Sequence, residues 1–177
     1  SSELIITNMA SHDLCFKLKK YFRCLTAEFW CLKQTSNNNT QIFVIREETT
    51  VNTGDLVTNQ NIGVIRNCLF DQTMVNSEFV KDAKYYDKNI DGDGDLPVLA
   101  ISFADETNEI WAVILRGHQK ANSSTEHIPF SIIDESILNA VFPFALRALR
   151  FVVSPPQIDA QLDHFEQRLK ALLEVAE

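Results

Sequence analysis

Residues 62–135 carry four pieces in fixed order: Ile62-Gly63-Val64-Ile65, then Tyr86-Asp87-Lys88-Asn89-Ile90-Asp91, an apolar pair of runs at 98–103 and 109–116, and Phe130-Ser131-Ile132-Ile133-Asp134-Glu135. The two runs, Val-Leu-Ala-Ile-Ser-Phe and Glu-Ile-Trp-Ala-Val-Ile-Leu-Arg, are β-branched and aromatic, and they flank Asp105-Glu106-Thr107-Asn108, a cluster of turn formers. That pattern predicts a hairpin. A glycine-led segment and a polar-aromatic segment come before it, and a helix signal follows: Ser131 is placed to cap a helix, and Asp134 and Glu135 suit the positive end of one.

Upstream, Leu14, Leu18, Phe22 and Leu25 recur at spacings of four, four and three with basic residues between them, which predicts an amphipathic helix capped by Ser11. Apolar runs at 28–33 and 41–46, separated by the polar stretch 35–40, predict a first hairpin. Residues 47–61 are turn-rich, with room for one weak strand. Residues 62–69 and 77–86 read as short helices, the second with Phe79, Val80 and Ala83 on one side. Downstream, Leu138, Val141, Phe142, Ala145 and Leu149 line one helix face, and Pro143 within it predicts a kink because it lacks the helical donor. Ser154-Pro155-Pro156 ends that helix. A last helix follows, with Ile158, Leu162, Phe165, Leu169, Leu172 and Ala176 alternating spacings of four and three. Such a stripe suits a coiled-coil seam or a helix packed back on its own domain.

The 177 residues are 45% hydrophobic and 23% charged, enough to bury one full core. The net charge of −8 is concentrated: residues 71–110 hold 3 basic and 10 acidic side chains, against 7 and 6 before and 6 and 8 after. An acidic surface repels phosphate backbones and anionic lipid, so neither nucleic acid nor membrane is an expected partner. Cys15, Cys24, Cys31 and Cys68 form no CxxC pair and have no histidine at zinc-ligand spacing. No segment approaches the ~20 apolar residues of a membrane span. A soluble, cytoplasmic protein is expected, and a chain opening on Ser-Ser without methionine reads as a segment of a longer one.

The order helix, hairpin, excursion, hairpin, helix, together with the four quoted pieces, resembles a GAF domain over about residues 12–151. The similarity is closest to the regulatory GAF domains of cyclic-nucleotide phosphodiesterases. Gly63 takes the place of the glycine before that family's pocket helix; Tyr86-Asp87-Lys88-Asn89-Ile90-Asp91 resembles Phe-Asn-x-x-Val-Asp; Phe130-x-x-x-Asp134-Glu135 matches the second part of the Asn-Lys…Phe-x-x-x-Asp-Glu signature. The resemblance implies an α+β fold: a central antiparallel sheet with helices on one face and a helical or loop excursion over the other, with a C-terminal helix added. It divides the chain into a GAF-like domain, 1–153, and a Pro-containing linker with an amphipathic helix, 154–177. It also implies a pocket beneath the excursion, with Val64, Ile65, Arg66, Asn67, Tyr86, Asp87 and Leu115 as ligand-binding residues, and His118, Phe130, Asp134 and Glu135 as the structural signature.

Three departures bear on the ligand. His118-Gln119 stands where the signature has Asn-Lys, although Lys120 follows one residue on. Leu115 replaces the polar residue that reads a base, and a base edge left unpaired would cost about 1–3 kcal/mol. The loop after Asp91 lacks the family's Thr-Gly. No cofactor is therefore expected, and cyclic-nucleotide binding, which the resemblance raises, is disfavoured.

The run 87–95 mimics a calcium loop, with Asp87, Asn89, Asp91 and Asp93 at alternate positions and Gly92 sixth, but the twelfth position is Val98 rather than a bidentate glutamate. A turn-rich loop without metal is the expectation. Cys68 alone lies near the implied pocket, whereas GAF proteins that reduce methionine sulfoxide cluster several thiols there; a thiol cycle needs a resolving partner. His12, His118, His127 and His164 are scattered, and no catalytic constellation emerges. Trp30 and Trp111 read as core. The expected function is a non-catalytic regulatory GAF domain of a larger intracellular signalling protein, sensing a small ligand. The alternative is a degenerate GAF module for dimerisation or scaffolding. Partners on either reading are other domains of the parent chain and a second copy, through the terminal helices.

Overall fold

A computed structural model describes residues 2–34, 40–47, 50–55, 61–104, 109–150 and 155–176. The chain is α+β. Strands β1 (Thr26–Gln34), β2 (Thr40–Ile45), β3 (Thr50–Asp55), β4 (Val75–Ser77), β5 (Val98–Ala104) and β6 (Glu109–Arg116) form one sheet in the order β3-β2-β1-β6-β5-β4. Every neighbouring pair is antiparallel. The first hairpin and the second therefore meet at the centre, where β1 and β6 run against one another from Thr26↔Arg116 to Lys33↔Glu109.

Side chains alternate across this sheet, and both faces are buried. On one face Ala27, Phe29 and Cys31 of β1, Leu99 and Ile101 of β5 and Trp111, Val113 and Leu115 of β6 pack against helices α1 (Ser2–Phe22), α4 (Ile132–Arg150) and α5 (Pro155–Ala176). The other face presents Trp30, Leu32, Ile42, Val44, Ala100 and Ile114 to the excursion between β3 and β4 and between β4 and β5.

The helices follow their apolar stripes. Leu14, Leu18 and Phe22 of α1 are buried as the spacing predicts, but the helix begins at Ser2, so Ser11 lies within it and is no cap. At α4 the capping expectation holds: the Asp134 amide donates to Ser131 Oγ at 3.0 Å and the Ser131 amide donates to Asp134 Oδ2 at 2.7 Å. A reciprocal pair of this kind satisfies two otherwise orphaned donors. The helix continues through Pro143 as one element. Helix α5 buries Leu162, Phe165 and Leu169 in the same core as α1 and α4, so its stripe packs back on the domain. The linker residues 151–154 lie outside the described residues.

The excursion departs from the sequence reading. In place of a helix over 77–86 there is the short edge strand β4 and a single 3-10 turn, Val80–Asp82. Only Val80 of its apolar side is fully buried, and the backbone finds partners outside a helix: the Val80 amide donates to Leu96 O and the Lys81 amide to Gly94 O. The helix expected over 62–69 is one turn, α2 (Arg66–Leu69), and a further turn, α3 (Lys88–Asp91), occupies the Tyr-Asp segment. The weak strand expected within 47–61 is β3. No helix among the described residues is long and apolar enough to cross a membrane.

Candidate functional site

The space beneath the excursion, where the resemblance places a pocket, is filled by the chain itself. Ile62, Val64, Ile65, Cys68, Leu69 and Val80 are each no more than 5% exposed and pack onto Trp30, Ile42, Val44, Ala100 and Ile114. Val64 and Ile65 are therefore core residues. Leu115 is fully buried on the opposite, helical face, in line with its place one residue from Ile114 in a strand of period two. It does not share a face with the other implied ligand residues.

The rest of that implied set serves local structure. Asn67 is buried, and its side-chain amide donates to Val64 O at 2.9 Å and Lys84 O at 2.8 Å, tying α2 to the segment after the 3-10 turn. The Arg66 guanidinium lies over the rings of Phe70 and Tyr85. Tyr86 donates its hydroxyl to Gly92 O at 2.7 Å. Asp87 caps α3 by accepting from the Asn89 amide at 2.9 Å.

Asp91 organises the excursion. Its Oδ2 accepts the amides of Val64, at 3.1 Å, and Asp87, at 3.0 Å, so one carboxylate joins the start of the excursion to α3. Gly63 makes room for it: a Cβ there would lie 2.6 Å from Asp91 Oδ2, and the residue sits at φ +85°. Asp91 Oδ1 accepts from Arg116 Nη2 at 2.9 Å, and Arg116 Nη1 donates to Glu28 Oε1. Glu28 in turn accepts from Arg46 Nε through its other oxygen. Arg116, Glu28 and Asp91 are all buried, so this is an interior ion cluster that fastens the excursion to the central strands. Burial would raise the Glu28 carboxyl, but Arg116 and Arg46 outweigh it and hold it below the ordinary carboxylate range. Arg116 is likewise disfavoured by burial, and Glu28 and Asp91 more than restore its charged form.

Glu28, Asp91 and Arg116 did not emerge from the sequence as a unit. A signal was present: alternation puts Glu28 on the same face as Trp30 and Leu32, and Arg116 on the face of Ile114, two charges at the ends of apolar faces. Their partnership needs the β1/β6 register.

The oxygen-bearing side chains of the run 87–93 are engaged separately. Asp91 turns inward to Arg116, Asp87 turns to its own helix and Asn61, Asp93 accepts the Asp95 amide, and Asn89 is exposed. Among the described residues no group of three or more acidic, histidine or cysteine side chains is arranged to hold a metal. His118, Phe130 and Glu135 lie near one end of the sheet. His118 is buried, stacks on Phe130 at 4.5 Å and 14°, and brings Nδ1 within 3.1 Å of Pro129 O. Glu135 accepts from Asn76 of β4 at 2.6 Å. Lys120 pairs with Glu126 rather than Asp134. The cluster joins β6, β4 and α4.

All four cysteines are free thiols and all are buried. Burial pushes Cys24 and Cys68 up to about 12 and raises Cys15 as well, so the thiolate a redox cycle needs is suppressed. Two of the clefts bordered by described residues lie outside the excursion core. One, of about 300 Å³, is bordered by Lys19, Leu25, Thr26, Glu28, Arg46 and Glu47; the other, a shallow depression of about 640 Å³, lies between Lys81, Tyr86, Lys88 and Asp95. Compared with known proteins, the sequence matches no family model and no curated protein.

Proposed function

We propose that the chain is a non-catalytic GAF-like module of a larger intracellular protein, and that it works as a scaffold through its surfaces rather than as a chamber for a ligand. The observation that carries this reading is the filling of the excursion side by Ile62, Val64, Ile65, Cys68, Leu69 and Val80, fastened by Asp91 and Arg116. A sensor of this design has to hold a small molecule between sheet and excursion, and the residues implied for contact there are spent on core packing and turns. The buried, high-pKa thiols agree with a non-catalytic role and with a reducing compartment.

The second reading is the small-ligand sensor. Its support is the 300 Å³ cleft beside Lys19, Glu28, Arg46 and Glu47, which is of ligand size and touches the ion cluster through Glu28. A thermal-shift series with cyclic nucleotides, calcium and a panel of amino acids and nucleosides separates the two. The scaffold reading predicts no shift with any of them at millimolar concentration. A saturable rise of several degrees with one compound gives the molecule to the sensor reading.

A further inference from the structure

Strand β4 is an edge of the sheet: it pairs with β5 on one side, and among the described residues no strand lies on the other. Its ladder runs Val75↔Ala100, Asn76↔Leu99, Ser77↔Val98. An exchange of bonds between Asn76 and Leu99 would put the next exchange at Glu78 and Pro97, and proline has no donor. The bonds to β5 therefore come from Val75 and Ser77. The backbone N–H and C=O of Asn76 face the open side, where no described residue bonds them. The Asn76 side chain crosses to the start of α4, donating to Phe130 O at 3.2 Å and to Glu135 Oε1 at 2.6 Å. Alternation sets Met74 and Glu78 on that same side of the edge, and Ile132, three residues before Glu135, is its neighbour on the helix surface. Met74 is 45% exposed, Ile132 77% and Ile133 53%. Neither isoleucine serves its helix, because a first turn favours polar and acidic side chains and β-branching lowers helix propensity. Among the described residues Glu78, Asp134 and Glu135 have no cation within ion-pair distance, whereas Asp71, Asp95, Glu109 and Glu126 each have one.

The edge thus joins unpaired backbone groups, exposed apolar side chains and uncompensated carboxylates. We propose that β4 accepts an extended segment of a partner protein as an added antiparallel strand, with apolar and basic side chains on the side that meets α4. The added strand takes up the open N–H and C=O of Asn76. Its apolar side chain lies against Met74 and Ile132, and its lysine or arginine lies against Glu78 and Glu135. A second copy paired β4 to β4 would set these carboxylates against their own kind. Nucleic acid and anionic lipid would meet the same charge with phosphates. The proposal names the surface and partner of the scaffold reading and rests on it.

The test uses the intact chain and a short fluorescein-labelled peptide with Arg, Thr and Leu at alternate central positions and Ser between them, followed by anisotropy at low salt. In the antiparallel register these three stand opposite Glu78, Asn76 and Met74. Saturable binding is expected. It should be lost when the Thr amide, the donor to Asn76 O, is N-methylated, and change twofold or less when a neighbouring Ser amide is methylated instead. I132S/I133S should weaken it by about tenfold and E78K by about fivefold. D163K on the exposed side of α5, with the same change in charge as E78K, should change it twofold or less. No binding by the parent protein, equal losses with the two methylated peptides, or equal losses in E78K and D163K would overturn the proposal. So would preferential binding to phosphatidylserine vesicles, or self-association in sedimentation that I132S/I133S abolishes, since either gives the edge a different occupant. The thermal-shift series is independent: a ligand shift with intact peptide binding overturns the scaffold reading alone, and absent peptide binding without any shift overturns this edge alone.

Discussion

The two faces of the sheet are buried to a similar degree and are held by different physics. The helical face is closed by aliphatic and aromatic stripes from α1, α4 and α5, with the Ser131–Asp134 cap at its rim. The excursion face is closed by segments with almost no regular structure, and its aliphatic packing is supplemented by Asp91, Arg116 and Glu28 in the interior. A periodic helix needs only its stripe to be positioned. An irregular segment has backbone donors that no helix or strand satisfies, so a buried carboxylate takes them, and that carboxylate requires a buried cation.

The comparison breaks most sharply at its two anchors. Arg116→Met leaves Asp91 buried without its cation and Glu28 with Arg46 alone, and should cost about 3–5 kcal/mol. Phe165→Ala on the helical face should cost a similar ~3–5 kcal/mol through a cavity. The two differ in pattern: urea unfolding should stay cooperative for Phe165→Ala, while in Arg116→Met limited proteolysis should cut within residues 61–97 before the rest. Equal protease resistance of that segment in both variants would mean that Arg116 does not fasten it.

A smaller effect is expected at Gly63. Alanine there meets both the positive φ, worth about 1–2 kcal/mol, and the Asp91 carboxylate. Gly63→Ala should therefore lower the denaturant midpoint, and Gly92→Ala, whose Cβ would find open space, should lower it less. Similar losses at both positions would remove the steric part of the argument.

The smallest effect is a pH dependence. The Glu28 carboxyl is lowered on folding, so its contribution is fully present above the unfolded-state pKa of about 4.3 and is lost as pH falls through the lower folded-state value. Glu28→Gln should flatten the fall in stability over that acid window and leave the slope between pH 6 and 8 unchanged. An unaltered acid slope would show that the ion cluster is not coupled to folding.

The same contrast explains what the sequence revealed. Strands β1, β2, β5 and β6, the stripes of α1, α4 and α5 and the cap at Ser131 follow from local periodicity and turn chemistry, so the α+β architecture was legible. Over 77–86 the sequence is misleading, because Phe79, Val80 and Ala83 mimic one helical turn while the backbone bonds to residues 94 and 96, a partnership distant in sequence. The resemblance puts Leu115 on the excursion side, whereas strand alternation sets it with Val113 on the helical face. Asp91 read as one ligand of a loop because nothing local announces Arg116, 25 residues away.

Amide hydrogen exchange at Val64 and Asp87, the two donors to Asp91, tests the account most directly. If the excursion is a closed core fastened from within, both amides exchange in the native protein only through openings close in free energy to global unfolding, and Arg116→Met accelerates them selectively. Exchange of both in the parent protein at the rate of an exposed loop, unaffected by Arg116→Met, would contradict it.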